Sequence, residues 1–385
     1  MNATRIALFT GAVAMAAAGA AHSAAHSAPP AIKFDLSGHI NITYMNADDG
    51  NTSENFIVDN GASQTRMRVK GSGDIGGGLK AGGVVEFGIS ALDGSGSVTL
   101  ANRNTGANEI NLRHTYVFFG GDFGTVTVGK TDGAADGASE HDFSGTSLTA
   151  GFSAADIGGG VLFQNNGSNL IFDTDGDNDT DGLNNTVTPA TSNGSDTISV
   201  GNAYGLNDFE GRHNLIRYTS PTFGGGMTAG VSYGHKDNED VIDLGINGNF
   251  KLAGGDLKAG IGYSDQSVVQ GDDDTQVAGS VAFKMPSGFN VAARYDTRDF
   301  ENRDTSTYNI KFGYAVGPHS MSIGYGEASD RQAEGVDGSV LSLGYHYDMF
   351  TNVELYAGYN NFSLDGTTAD ADDVRVIAAG TRIKF

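Results

Sequence analysis

Ile32-Lys33-Phe34-Asp35-Leu36-Ser37-Gly38-His39-Ile40-Asn41-Ile42-Thr43-Tyr44 carries the pattern that decides the fold. Ile32, Phe34, Leu36, Ile40, Ile42 and Tyr44 fall on one face; Lys33, Asp35, Ser37, His39, Asn41 and Thr43 fall on the other. Side chains of a strand alternate between its two faces, so this stretch is a strand with one apolar and one wet side. The alternation returns at Tyr308, Ile310, Phe312, Tyr314 and Val316 against Asn309, Lys311 and Gly313. It returns again at Leu341, Leu343, Tyr345 and Tyr347 against Ser342, Gly344, His346 and Asp348.

Working outward, runs of this kind predict sixteen strands, near 32–45, 64–74, 79–90, 110–119, 125–130, 213–220, 227–235, 241–251, 256–264, 275–285, 288–298, 305–316, 319–328, 339–349, 352–363 and 373–385. Five of the segments share an apolar residue, Gly, Tyr signature: Ile261-Gly262-Tyr263, Phe312-Gly313-Tyr314, Ile323-Gly324-Tyr325, Leu343-Gly344-Tyr345 and Ala357-Gly358-Tyr359. By parity each Tyr shares the apolar face, which suits a ring with an apolar body and a polar tip at a membrane-water boundary. Short turns such as Gly120–Gly124, Pro221–Gly226 and Ala253–Gly255 alternate with longer polar connections such as Asn46–Ser63 and Ala91–Asn108. One rim of short turns and one of long loops describes an up-and-down transmembrane barrel. In lipid every backbone N–H and C=O must be paired, so the sheet has to close on itself. Sixteen strands leave a lumen too wide for side chains to fill, hence an aqueous channel.

Composition agrees. The 385 residues include 58 Gly, 6 Pro, no Cys and no Trp, are 38% hydrophobic, and carry a formal charge of −23. A polytopic helical membrane protein is far more apolar, whereas 14 Tyr and 21 Phe set the chain apart from disordered sequence. The acidic balance argues against a nucleic-acid partner, because phosphate binding needs a basic face. After Arg5 the run Ile6–Ala21 is apolar or small throughout and is followed by small residues, which predicts an export signal over residues 1–25, cleaved after Ala20 or Ala25. No later segment reaches the apolar length of a membrane helix, so residues 26–385 read as one barrel domain with a long loop at 131–212.

With these residues in view, the chain resembles the Gram-negative general porin family, and more narrowly the porins of alphaproteobacteria. The similar residues are Thr65-Arg66-Met67-Arg68-Val69-Lys70-Gly71, Gly121-Asp122-Phe123-Gly124-Thr125-Val126-Thr127-Val128-Gly129-Lys130 and Ile216-Arg217-Tyr218-Thr219-Ser220-Pro221. Phe385 ends a strand whose alternate positions are Ile383, Thr381, Ala379 and Ile377, and the resemblance implies that the assembly machinery of the outer membrane reads such a terminal aromatic. It further implies a homotrimer in a lipid bilayer bearing lipopolysaccharide, passive passage of ions and small hydrophilic solutes, and a loop folded into each lumen. That loop would begin after Lys130 and carry Asp132, Asp136, Glu140, Asp142 and Asp156, facing Arg66, Arg68, Lys70, Arg113 and Arg217. Opposed basic and acidic rows would set a transverse field that favours polar solutes. The plain alternative is that these are lumen-facing charges with no special role. The total charge suggests a weak cation preference, although many carboxylates fall in outer loops.

One departure stands out: Thr131–Arg212 is 82 residues, more than a constriction loop needs. Val161-Leu162-Phe163-Gln164 and Asn169-Leu170-Ile171-Phe172 flank Asn165-Asn166-Gly167-Ser168 and predict a hairpin within the loop. Were it to span the membrane, the barrel would have eighteen strands. Beyond it, Asp173, Asp175, Asp177, Asp179 and Asp181 place five carboxylates at every second position, a set of hard oxygens suited to Ca2+. Alignment with a calcium-binding loop puts Thr188 where a bidentate Glu belongs, so a solvated acidic loop is the competing reading.

Two catalytic motifs are empty in context. Gly71-Ser72-Gly73-Asp74-Ile75-Gly76 lacks the helix that a dinucleotide site needs, and Gly230-Val231-Ser232-Tyr233-Gly234 lies within a strand instead of a strand-to-helix elbow. A diffusion channel with no required cofactor is the reading, with a solute-specific channel as its runner-up. A barrel enzyme lacks a catalytic constellation here, and a calcium-dependent surface protein lacks its nonapeptide repeats.

Overall fold

The computed structural model describes residues 32–102, 109–173, 186–190, 197–206, 209, 211–237, 239–267, 274–300, 303–331, 334–367 and 370–385. The export signal at 1–25 therefore lies outside the described residues. Six strands come first: β1 (Lys33–Asp48), β2 (Ser53–Asp59), β3 (Arg66–Gly76), β4 (Leu79–Ser90), β5 (Glu109–Gly121) and β6 (Gly124–Asp132). A long insertion follows, with helical turns at Ser147–Ala150 and Val200–Ala203 and a small sheet of β7 (Gln164–Asn165), β8 (Ser168–Asp173) and β9 (Thr186–Ala190). The chain then runs through β10 (Arg212–Thr219), β11 (Met227–Lys236), β12 (Glu239–Leu252), β13 (Gly255–Ser267), β14 (Asp274–Lys284) and β15 (Phe289–Phe300). It ends with β16 (Arg303–Val316), β17 (His319–Ser329), β18 (Asp337–Phe350), β19 (Val353–Asp365) and β20 (Val374–Lys384).

Every neighbour in the large sheet is antiparallel, and β1 closes it by pairing His39–Asp48 with Arg375–Lys384 of β20. On its other edge β1 pairs with β3 along Lys33–His39 and with β2 along Ile42–Asp48. β2 and β3 thus share one stave, and with β7, β8 and β9 in a separate sheet the barrel has sixteen staves. The sixteen expected strands are all present, with ends shifted by a few residues. The hairpin within the loop is also as expected: Gln164 pairs with Asn169 through a tight turn at Asn166 and Gly167, whose φ values are 48° and 84°.

Outward faces are apolar as the alternation required. Phe34, Tyr44, Ile246, Phe312, Ile323 and Leu343 all stand exposed on the lipid side. The rim where β1 begins and β20 ends has only short turns, while the opposite rim carries every long connection.

The expected polar connection Asn46–Ser63 is corrected. β1 continues to Asp48, turns within four residues, and returns as β2. Phe56 and Val58 of β2 point inward and are buried, the reverse of the apolar-out rule. The reason lies in the lumen, where the insertion folds back inside the barrel and brings an apolar core of its own. Ile157, Val161, Phe163, Leu170, Ile198 and Tyr204 pack on inward residues of the wall, among them Met45, Phe56, Val340, Phe362, Val374 and Val376. The expected outer loop at Ala91–Asn108 is likewise turned inward over its described part, since Val98 joins that core and Gly158 N donates to Ser95 O at 2.8 Å.

Candidate functional site: a lumen constriction

Wall glycines make room for the insertion. A Cβ on Gly245 would lie 2.0 Å from Ala134 O, one on Gly358 2.5 Å from Thr149 Cβ, and one on Gly344 2.8 Å from Ala150 Cβ. Gly262 meets Phe209 and Ala135 in the same way. The recurring apolar-Gly-Tyr signature therefore has two functions: Tyr faces lipid, and Gly262, Gly344 and Gly358 leave room for the insertion inside.

Polar clamps then fix the insertion. Lys311 Nζ of β16 donates to Asp142 Oδ2 at 2.8 Å. Burial works against charge on Asp142, but the Lys311 ammonium and the Ser144 hydrogen bonds hold its carboxyl below the ordinary 3.8. His141 Nε2 lies 2.9 Å from Asn247 Oδ1, and burial is the main cause that lowers this imidazole below its usual 6.5. Ser232 Oγ accepts from Ala134 N at 2.7 Å and donates to Asp243 Oδ2 at 2.8 Å. His213 Nε2 stands 3.7 Å from that same carboxylate oxygen. Ser232, His213 and Asp243 are the three residue types of a hydrolase triad, yet the serine bonds the aspartate directly and all three are buried under the insertion. Here they hold Ala134 against the wall.

What remains open is a cavity of 780 Å³. Arg66, Arg113, Arg212 and Arg331 contribute its basic lining, and Asp59, Asp132, Asp136, Glu140 and Asp156 its acidic lining. Of the residues expected from sequence, Arg66, Arg113, Asp132, Asp136, Glu140 and Asp156 thus line one cavity. The others are placed elsewhere. Arg68 turns to Glu86, with Nη2 to Oε2 at 2.5 Å. Lys70 Nζ lies 5.7 Å from the centre of the Phe118 ring, Arg217 Nη1 donates to Asp132 O at 2.9 Å, and Asp142 serves the Lys311 clamp. Phe385 sits at the turn rim, where its N–H donates to Gly38 O at 3.0 Å and its carbonyl accepts from Gly38 N at 2.9 Å.

Sequence reasoning missed Glu86, Arg212, Arg331 and the break between β2 and β3. In that break Asn60 Nδ2 donates to Leu148 O at 2.9 Å, and Gly61 N donates to Ser95 Oγ at 2.8 Å. Asn60 and Gly61 line the constriction as a result. Glu86 was legible by parity as a wet-face residue; its convergence with three arginines needed the register. The acidic run at Asp175, Asp177, Asp179 and Asp181 lies outside the described residues, as does the side chain of Asp173. Among the described residues, His346, Asp348 and Glu354 come close enough to share a metal. Arg382, at 2.5 Å, and Lys384 already claim the Glu354 carboxylate, so this group does not suit a cation.

A closed antiparallel barrel, apolar outside and holding a narrowed polar passage inside, is a transmembrane channel. Residues 10–367 match the Gram-negative porin family, and the chain belongs to it. Outer membrane porin protein 32 of Delftia acidovorans is 25% identical over 336 residues, spanning 82% of this chain and 79% of its own. A chitoporin of Vibrio furnissii is 28% identical over 162 residues, 33% of this chain and 44% of its own. Among solved structures, the anion-selective porin from Comamonas acidovorans matches with a TM-score of 0.59 and 19% identity, covering 92% of this chain and 100% of that one. The trimer form of Vibrio cholerae OmpT matches with a TM-score of 0.57 and 16% identity over the same shares. The chain is therefore an outer-membrane porin, a channel for passive diffusion of solutes.

Proposed function

We propose that solutes pass between the arginines of the wall and the carboxylates of the insertion, and that the barrel is a general, size-limited porin. The observation that carries this is one cavity lined both by Arg66, Arg113 and Arg212 of the wall and by Asp136, Glu140 and Asp156 of the insertion. Opposed charge across a water-filled gap orients water and polar solutes and excludes apolar ones, whose bodies cannot replace the ordered water. Liposome swelling with neutral sugars of rising mass tests the reading. Rates falling steeply and smoothly with size support it, and equal rates for all sizes would count against a constriction.

A second reading, a channel with a preferred solute, is favoured by one observation. On the long-loop rim a separate cavity of 640 Å³ is lined by Asn51, Thr52, Asn102, Gln164, Asn169 and Thr197, with Asp49 the one charged residue among the described lining. That lining suits a neutral polyhydroxylated solute, and one relative bears the name chitoporin. Saturation of swelling by one sugar and not by its isomers would select this reading.

Assembly is proposed as a homotrimer that sits in an outer leaflet of lipopolysaccharide and is inserted by the assembly machinery through Phe385. The run Asp173–Asp181 is proposed to take Ca2+. Calorimetric titration of the purified protein with Ca2+ checks it; no saturable heat, or heat unchanged in a variant with those five residues as Asn, rejects the site.

A further inference from the structure

We propose that Glu86 sets the ion selectivity of the constriction by neutralising part of the arginine wall. This rests on the reading of that cavity as the solute path. Glu86 lies on the inner face of β4 and is fully enclosed. Arg68 reaches its Oε2 with Nε at 2.6 Å and Nη2 at 2.5 Å; Arg113 Nε reaches its Oε1 at 2.9 Å, and Arg66 Nη1 stands 3.8 Å from the same oxygen. One carboxylate therefore answers three guanidinium groups.

The local backbone is shaped for this convergence. Between β4 and β5 the register slips: Glu86 pairs with His114, Phe87 pairs with Leu112, and Arg113 is the extra residue. A bulge of this kind turns neighbouring side chains to one side of the sheet. Arg113 and His114 accordingly both approach Glu86, His114 Nε2 at 3.9 Å. Gly88 leaves the space the Arg113 stem occupies, since a Cβ there would stand 3.2 Å from Arg113 Cδ and 2.4 Å from Asn111 Oδ1. Bulge, glycine and carboxylate form one arrangement whose effect is to hold guanidinium charge against the wall.

The cluster of Arg66, Arg68 and Arg113 with Glu86 carries +3 − 1 = +2. With Glu86 neutral the cluster rises to +3. A unit charge roughly 8 Å from a passing ion in water changes cation and anion occupancy by a little over twofold in opposite directions, so the cation-to-anion permeability ratio moves about fivefold.

The test is the reversal potential of single channels in a tenfold KCl gradient at low ionic strength, for the wild type, E86Q and E86D. E86Q is expected to lower the cation-to-anion permeability ratio about fivefold while current persists, and E86D, which keeps the charge, to restore the wild-type value. A purely structural Glu86 would change barrel yield or unfolding temperature without moving the reversal potential. Should E86Q fail to fold, the neutral pair E86Q/R68Q is compared with R68Q alone, and the pair is expected to be about fivefold more favourable to anions. Conducting channels whose reversal potentials coincide, in either comparison, overturn the inference. A wild type that passes no current overturns the solute-path reading on which it rests.

Discussion

Asp142 and His141 show how single side chains bind the insertion to the wall, and their chemistry gives two separate pH windows. The Asp142 carboxyl is held below its ordinary 3.8, so its contribution to stability is complete above that value and is lost as pH falls through the lowered one. His141 is held below 6.5, so seating of the insertion is strongest above pH 6.5 and weakens as pH falls from there toward the lowered value. Channel noise recorded from pH 8 to 3 should rise in two stages, the first of which is absent in H141Q. A single stage in both proteins would contradict the assignment. D142A leaves the Lys311 ammonium buried without its carboxylate, and removal of one partner from a buried pair costs about 3 to 5 kcal/mol. A lower unfolding temperature of the folded barrel is expected, with smaller loss in the double variant D142A/K311M.

At the scale of elements, the glycine positions of β12, β18 and β19 fix where the insertion lies. Ala at Gly358 or Gly245 forces methyl carbon against Thr149 or the Ala134 carbonyl, and overpacking of this kind costs about 1 to 3 kcal/mol. Both substitutions are expected to raise single-channel conductance by displacing the insertion from the wall, and unchanged conductance in both would show that it is not held there. The same elements explain what sequence could and could not tell. The alternation of Ile32–Tyr44 and its repeats was decisive because lipid demands apolar residues on one face and water tolerates only polar ones on the other. Ser53–Asp59 escaped because both of its sides are partly apolar: Ile57 faces out while Phe56 and Val58 face the inserted core. Parity has no meaning where the lumen is dry. Val374 and Val376 of β20 carry the same mark, apolar residues on an inward face, and were the available hint that something covers them. The acids Asp136, Glu140 and Asp156 were found from the position of the loop; Arg212 and Arg331 are brought to them only by three-dimensional folding.

For the whole molecule, the proposed trimer makes a direct prediction: the unheated protein should migrate in detergent electrophoresis at about three times the mass of the boiled chain, because closed barrels resist detergent until heat breaks them. Migration at the monomer mass before heating, confirmed by light scattering, would contradict it. Closure itself is what the sixteen staves, the β1–β20 pairing and the outward apolar faces share, and the inward insertion leaves a polar cavity inside. The central claim, an open water-filled path through that constriction, is tested most directly by planar-bilayer conductance of the purified, unheated protein. The account predicts stable steps, ohmic at low voltage, whose conductance rises in proportion to KCl concentration. A barrel that is folded by circular dichroism and heat modifiability yet passes no current would contradict it.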